Sequence, residues 1–396
     1  MERLSDTPRS SGRPALDIPC EVIETYLLTG LKVKEIAELY GVCQKTIHRR
    51  MQQQGLRTSD FYANITNAEL DDTILEIHRA HPQTGYRMMK AFLQARGLRV
   101  QVSRVRESLR RVDPYGTELR ALANHALHRR QYSFPAPNAM WHIDGNHKLI
   151  RWRFVIHGGI DGFSRLIVYL TAATDNRAST VLDSFLVAVN QFGVPSRVRS
   201  DKGMENVEVA HFMVQNRGEN RDSHITGKSV HNQRFERLWR DVYQQVLDLF
   251  HTLFRNMEAE GILDPDNNIH VFALHWSFLP QLQRQLHFFK EAWNLQSLRR
   301  EARQSPYPLW TRSREAEDMA CIIRRLSVVE DEYGIDWDGP HEHEATGLPI
   351  PDVVLPRELT AEETAGLPTR DVSLMDAVDV YTETVEQLME MLGESA

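Results

Sequence analysis

From Pro19 to Gly55 apolar residues return at helical spacing in three short runs. Val22, Ile23, Tyr26 and Leu27 make one face; Val33, Ile36, Ala37 and Leu39 make a second; Ile47 and Met51 make a third. Tyr40-Gly41-Val42 is a tight turn between the last two, so the pattern predicts a helix-turn-helix arrangement over residues 15–60, behind a polar, disordered arm at 1–14. A similar set follows at 61–119. Leu70, Ile74 and Ile77 form a stripe, a second helix starts at Gly85-Tyr86-Arg87-Met88-Met89 and ends by Gly97, and a third spans Val100 to Val112 with Ser103 as its N-cap. Residues 120–137 are polar and read as a linker. His125 and His128 lie there without a nearby cysteine, which favours surface histidines over a zinc site.

At Ala139 the period changes. Trp141–Ile150, Phe154–Ile160 and Leu166–Ala172 read as strands, with Asp161-Gly162 as the hairpin turn between the latter two. Then come a helix at Ala178–Phe192, a strand at Arg197–Asp201, a helix at Val207–Asn216, a short strand at His224–Thr226 and a long helix from Asn232 to Met257. Three antiparallel strands followed by alternating helix and strand predict an α/β ribonuclease H-like core at 138–257, with a mixed five-stranded sheet. Residues 258–326 read as a helical extension closing that core, rich in aromatic residues that should be buried (Phe272, Trp276, Phe278, Phe288, Phe289, Trp293). From 327 to 396 the chain turns acidic and proline-punctuated, a largely disordered tail. Within it Leu374, Val378, Tyr381, Val385, Leu388 and Leu392 recur at four- and three-residue steps and predict a short amphipathic helix near 373–392. Such a helix would dock a protein partner, mediate self-association, or lie on its own domain.

Charge sharpens this division. The net charge of −7 over 396 residues is an average of opposites. Residues 330–396 hold 18 acids and 2 bases, whereas residues 1–329 hold 45 bases and 36 acids. A basic body suits a polyanionic partner. Cys20, Cys43 and Cys321 are too scattered for a disulfide framework or a zinc site, which fits a reducing compartment, nuclear or cytoplasmic. No apolar run reaches membrane-spanning length, and Met1 to Arg13 lacks the apolar core of a signal peptide.

Three carboxylates carry the candidate chemistry. Asp144 lies in the first strand, Asp201 at the end of a strand before the turn Lys202-Gly203, and Glu236 within the long helix, with 34 residues between the latter two. Strand-end acids joined by a helical glutamate are the hard oxygen ligands that hold two Mg2+ or Mn2+ ions about 3.5–4 Å apart for phosphoryl transfer. The competing reading is three surface acids. Asp161 sits in a turn signal and reads as structural; Glu205 stands close to Asp201, beyond the glycine, as a supporting group. Asn232, Glu236 and Arg240 share one helical face, which places Arg240 to hold a DNA phosphate. In the third helix Lys45, Arg49 and Arg50 would reach phosphates and base edges in a major groove. Arg104 and Arg106, with Arg110 and Arg111, form either a solvated face or a phosphate-contacting one.

Trp141-His142-Ile143-Asp144, Asp161-Gly162-Phe163-Ser164-Arg165, Ser200-Asp201-Lys202-Gly203-Met204-Glu205-Asn206, and Asn232 with Glu236-Arg237 together resemble the catalytic core of retroviral integrases and Asp-Asp-Glu transposases. Glu291-Ala292-Trp293-Asn294, Arg299 and Pro306 resemble the segment that closes this core in bacterial insertion-sequence transposases, and Gly85-Tyr86-Arg87 with Arg104-Val105 resemble the helix-turn-helix unit that precedes it there. The likeness spans about Gly12 to Trp310 and leaves the acidic tail uncovered. It implies an integrase-core protein of eukaryotic, mobile-element origin that cleaves DNA and transfers strands, acts as a homo-oligomer, and uses Asp144, Asp201 and Glu236 as its triad and metal ligands. Two departures stand out: the second Asp and the Glu are about one residue closer than is usual, and Gln233 stands where glycine is common. The histidine–cysteine zinc module of retroviral integrases is absent. The rival from a different class is a catalytically silent DNA-binding regulator that keeps the fold as a scaffold.

Overall fold

The computed structural model describes residues 18–29, 31–114, 116–117, 134, 136–201, 203–218, 221–226, 233–298, 304–316 and 350–393. The chain divides into two compact units, Met1–Phe61 and Tyr62–Ala396.

In the first unit α1 (Cys20–Leu28), α2 (Val33–Leu39) and α3 (Gln44–Gln53) enclose Ile23, Leu27, Ile36, Ala37, Ile47 and Met51. These are the apolar positions that recur at helical spacing. The turn into α3 needs Gly41, whose φ of +60° is open to glycine and strained for other residues.

In the second unit α4 (Asn67–Ala80), α5 (Tyr86–Ala95) and α6 (Val102–Val112) come first. Thr66 caps α4 in a reciprocal capping box with Glu69. The sheet follows in the order β3-β2-β1-β4-β5, made of β1 (Met140–Asn146), β2 (Val155–Asp161), β3 (Ile167–Ala173), β4 (Arg197–Ser200) and β5 (His224–Thr226). β1–β2 and β2–β3 are antiparallel; β1–β4 and β4–β5 are parallel.

The sheet separates two apolar layers. On one face α7 (Ala178–Phe192) and α8 (Val207–Arg217) bring Val181, Phe185, Phe192, Val209 and Met213 against Trp141, Ile143, Val168 and Val198. On the other face lie α9 (Gln233–Val242), α10 (Asp248–Ala259) and the long α11 (Asn268–Leu295), whose Phe235, Leu238, Phe254, Phe278 and Phe289 meet Phe154, Ile156, Ile167 and Leu170. Ile167 and Leu170 share this face although they are three apart. Ile160 pairs with Ile167 and Gly159 with Tyr169, so Val168 is an extra residue, and this bulge reverses the alternation. Gly159 permits the close approach, since a Cβ there would lie 2.4 Å from the Tyr169 ring.

Two features depart from the sequence reading. The long helix is interrupted by one π-helical segment, Tyr243–Leu247, between α9 and α10. Gln245 there accepts hydrogen bonds from His81, at its carbonyl, and from Thr84, at its side chain, so the irregular turn is where the preceding helical unit docks. His81 stacks on Phe92, and Leu70, Ile74, Met89 and Phe92 belong to the same apolar layer as Phe235 and Trp239.

The second departure is the tail. Residues 350–393 fold onto the body, while 327–349 lie outside the described residues. Short α13 (Ala361–Gly366) carries its own capping box, and α14 (Ala377–Leu392) lays Ala377, Tyr381, Val385 and Leu388 against the α11 layer. Of the readings left open for this apolar face, the fold takes the one in which the helix lies on its own domain. Polar contacts add to this seat: Arg284 pairs with Asp371 at 2.7 Å, Arg177 with Asp352 at 2.7 Å, and Tyr381 donates to the Ile262 carbonyl at 3.1 Å. α12 (Pro306–Ala316) follows α11 and buries Trp310 against Phe192. No helix among the described residues is long and apolar enough to cross a membrane.

Candidate active site

Parallel pairing of β1 with β4 builds the site. Met140 stands opposite Arg197, Trp141 opposite Val198 and His142 opposite Arg199. Two steps further along the same register, Asp144 comes level with Asp201, just past the end of β4.

Asp144 is held by its neighbours. The Trp239 indole Nε1 donates to Oδ2 at 3.0 Å and the Gly145 amide to Oδ1 at 3.0 Å. Burial pushes its carboxyl up to about 7, and the charges of Asp201 and Glu205 push the same way against these hydrogen bonds. Asp201 is fixed in turn, its Oδ1 accepting from Asn206 Nδ2 at 2.9 Å and from the Gly203 amide at 3.3 Å. Glu205 is buried, lies over Gly203, and has its carboxyl raised by burial and by the Asp201 charge. The Asp201 charge thus acts on both Asp144 and Glu205, and burial adds to it at each.

His147 was missed in the sequence. It follows Asp144 by three residues, its Nε2 is buried without a hydrogen-bond partner among the described residues, and its ring lies against Gly145. Burial lowers its basicity while the Asp201 charge opposes that. The signal available was the spacing Asp-x-x-His at a strand end. His157, on the neighbouring strand, is deeply buried and held down to about 4.

Glu236 lies in α9, three residues before Trp239. Its side chain and all of Asn232 lie outside the described residues. Phe235 and Trp239 on the same helix reach Gly158, which pairs with Asp144, so α9 packs directly over the acid-bearing strand. Arg240 and Arg237 are exposed on that helix; between them and the core Asp241 is raised to about 6, by burial against the pull of both arginines. Asp161 does not join the cluster: it accepts from Asn138 N, Ser164 N and Ser164 Oγ at 2.7–2.8 Å and closes the β2–β3 turn.

Hard, mutually repelling carboxylate oxygens are a fitting donor set for a divalent cation. Among the described residues no three Asp, Glu, His or Cys groups stand close enough to hold a metal, so the Asp144–Asp201 pair needs a further donor.

Of the basic residues singled out, Lys45 and Arg49 are exposed on α3, opposite Ile47 and Met51, and Arg50 is half-buried beside Gln53. Arg104 is drawn inward to the Ile65 carbonyl at 2.5 Å and Asn67 Oδ1 at 3.0 Å. Arg111 is paired with Asp71 at 2.7 Å. Arg106 is exposed and stacks on Tyr86.

Residues 131–320 match the family model described as Integrase core domain. Over these residues the chain is similar to an integrase core domain. Solved structures similar to it include the HTLV-2 integrase catalytic core domain in complex with magnesium, at 15% identity and a TM-score of 0.29, covering 44% of this chain and 97% of that one. Another is the simian T-cell lymphotropic virus intasome in complex with the PP2A regulatory subunit B56 gamma, at 16% identity and a TM-score of 0.34, covering 60% of this chain and 72% of that one. No curated protein sequence matches the chain.

Proposed function

We propose that this integrase core cleaves DNA and transfers the cut end to a second strand, with Asp144, Asp201 and Glu236 as the acids of the reaction. The observation that carries this reading is the cross-strand placement of Asp144 beside Asp201, in a cluster where burial and like charge leave Asp144 near neutrality at about 7. Isolated surface acids have no reason to be gathered and desolvated in this way.

Asp144 and Asp201 would hold Mg2+ or Mn2+, joined by Glu236. Such an ion, when bound, supplies a Lewis acid that activates water or a DNA 3′-hydroxyl and offsets charge on the leaving oxygen. The protein's own part is orientation. Trp239 and Gly145 fix the Asp144 carboxylate, Asn206 and Gly203 fix that of Asp201, and the apolar layer of Trp141, Ile143 and Val198 under α7 and α8 keeps the two strands in one place. DNA is the substrate, carried by the 15–60 helical unit through Lys45, Arg49 and Arg50 and by Arg240 beside the acids, in a homo-oligomer that presents two DNA ends.

The test is Mg2+-dependent nicking and strand transfer on duplex DNA by the full chain, beside Asp201→Asn. Cleavage abolished by that single change, with DNA affinity kept, is the expected result. Binding with no cleavage under Mg2+ or Mn2+ on any duplex overturns the reading and leaves a regulator built on the integrase fold.

A further inference from the structure

Two guanidinium groups converge on one phenol in the helical unit that precedes the core. Arg87 Nε donates to the Tyr86 hydroxyl at 3.1 Å, and the Arg106 guanidinium carbon lies 4.2 Å from the centre of the same ring. Arg87 comes from the first turn of α5 and Arg106 from α6, so the fold brings them together. Tyr86 is half-buried, its ring packed against the main apolar layer, which makes it a fixed platform.

Neither arginine is paired with an acid among the described residues. Four carboxylates of this unit are engaged elsewhere: Asp71 with Arg111 and Ser108, Glu69 with Thr66, Glu76 with Arg96, and Asp113 with His78. Glu107, the one acid in α6, acts on Arg111. The first turn of α5 adds to the positive field, because Gly85 offers no side-chain cap to its amides and the turn holds no acid. One turn further on, burial and the Arg99 charge both depress the Lys90 ammonium. The two guanidiniums also hold the Tyr86 phenol below its ordinary value, Arg87 more than Arg106. Cations gathered without a counter-charge, on a rigid aromatic base, present forked donors to an anion from outside.

We infer that Tyr86, Arg87 and Arg106 form a clamp for one backbone phosphate of DNA, placed at a fixed distance from Asp144 because α5 and α9 share one apolar layer. This rests on the DNA-processing reading above and extends it: the clamp sets where along the duplex the acids act. It also reassigns the basic face of α6. Arg104, turned in to the Ile65 carbonyl, is a structural strut, and Arg87, from the neighbouring helix, takes its place at the DNA.

The experiment measures affinity of the full chain for a DNA duplex across a salt series, for wild type, Arg87→Gln, Arg106→Gln and Arg104→Gln, with a melting curve for each. The first two are expected to melt as wild type does and to flatten the slope of log affinity against log salt by about 0.9, the loss of one phosphate contact. Arg104→Gln should lower the melting temperature and leave the slope unchanged. Unaltered slopes in both Arg87→Gln and Arg106→Gln overturn the clamp and leave the cleavage chemistry, tested through Asp201→Asn, untouched. A second readout needs no DNA. In protein labelled with fluorotyrosine, the fluorine signal missing in Tyr86→Phe is expected to move when inorganic phosphate is added, and not to move in Arg106→Gln. A silent signal overturns the clamp. A responsive signal with no slope change makes the cluster a site for a free phosphate compound and equally overturns its assignment to the DNA backbone.

Discussion

Trp239 Nε1 donates to Asp144 Oδ2 at 3.0 Å and ties helix α9 to strand β1. This one hydrogen bond opposes the burial that raises the Asp144 carboxyl to about 7. Trp239→Phe removes it with little change of shape. The carboxyl should then rise further, so the pH at which cleavage reaches half its maximum moves up by about one unit, and the rate at pH 7 falls roughly fivefold. A pH–rate profile of the variant checks this, and added alkali should restore most of the rate.

Asp144 also burdens the fold. Its folded value, about 7, lies above the ordinary 3.8, so the folded state keeps a proton that the unfolded chain releases across that window. Stability is therefore lost as pH rises from about 4 to 7, by about 4 kcal/mol at most. Asp144→Asn should raise the melting temperature of the metal-free protein at pH 8, leave it nearly unchanged at pH 4, and abolish cleavage. Mg2+ should stabilise wild type more at pH 8 than at pH 6 and do little for the variant. Melting curves at these pH values decide the point.

Three buried histidines work in the opposite sense. His81, His157 and His275 are each held down to about 4, chiefly by burial. Below pH 6.5 the unfolded chain takes up protons that the folded protein refuses, so each histidine removes about 1.4 kcal/mol per pH unit down to about 4. The second unit should lose stability steeply between pH 6.5 and 4. His81→Gln keeps a donor for the Gln245 carbonyl and should flatten that fall by one proton's worth, read from denaturant midpoints at successive pH values.

The acidic end is a structural part of this unit. Removing residues 350–393 would uncover Trp276 and the layer beneath α14, and should lower the melting temperature by several degrees and promote aggregation. Tyr381→Phe is the milder form: it gives up the hydrogen bonds to His270 at 2.8 Å and to the Ile262 carbonyl at 3.1 Å, and should cost about 1–2 kcal/mol in denaturant unfolding.

Arg240 is exposed on α9, four residues after Glu236. Arg240→Ala should weaken DNA binding a few-fold and flatten its salt dependence, with Mg2+-induced stabilisation intact. Unchanged affinity would remove Arg240 from the DNA path.

The sheet was legible because each strand announces itself locally: β-branched and aromatic residues between turn signals, with Asp161-Gly162 at the hairpin. Asp144 and Asp201 could be singled out because each stands in or just past a strand with a glycine one or two residues on, and the fold brings them level across β1 and β4. What the sequence hid was non-local. The π segment at 243–247 has no marker of its own, since Gln245 is irregular only because His81 and Thr84 dock there. The amphipathic rhythm of 374–392 was visible, but periodicity gives an apolar face without saying what covers it. Arg104 and Arg106 look alike in the text. One lies near a free carbonyl at Ile65 and the other over the Tyr86 ring, and only folding separates them.

The register of β1 against β4 also has a bearing on assembly. Those strands are parallel, so they cannot be joined by a tight hairpin, and β2, β3 and α7 intervene before the chain returns. The Asp144–Asp201 pair therefore forms only after a large loop has closed, a slow, late event in folding. A nascent or partly unfolded chain lacks this pair, so the divalent ion proposed for it would latch the finished molecule alone.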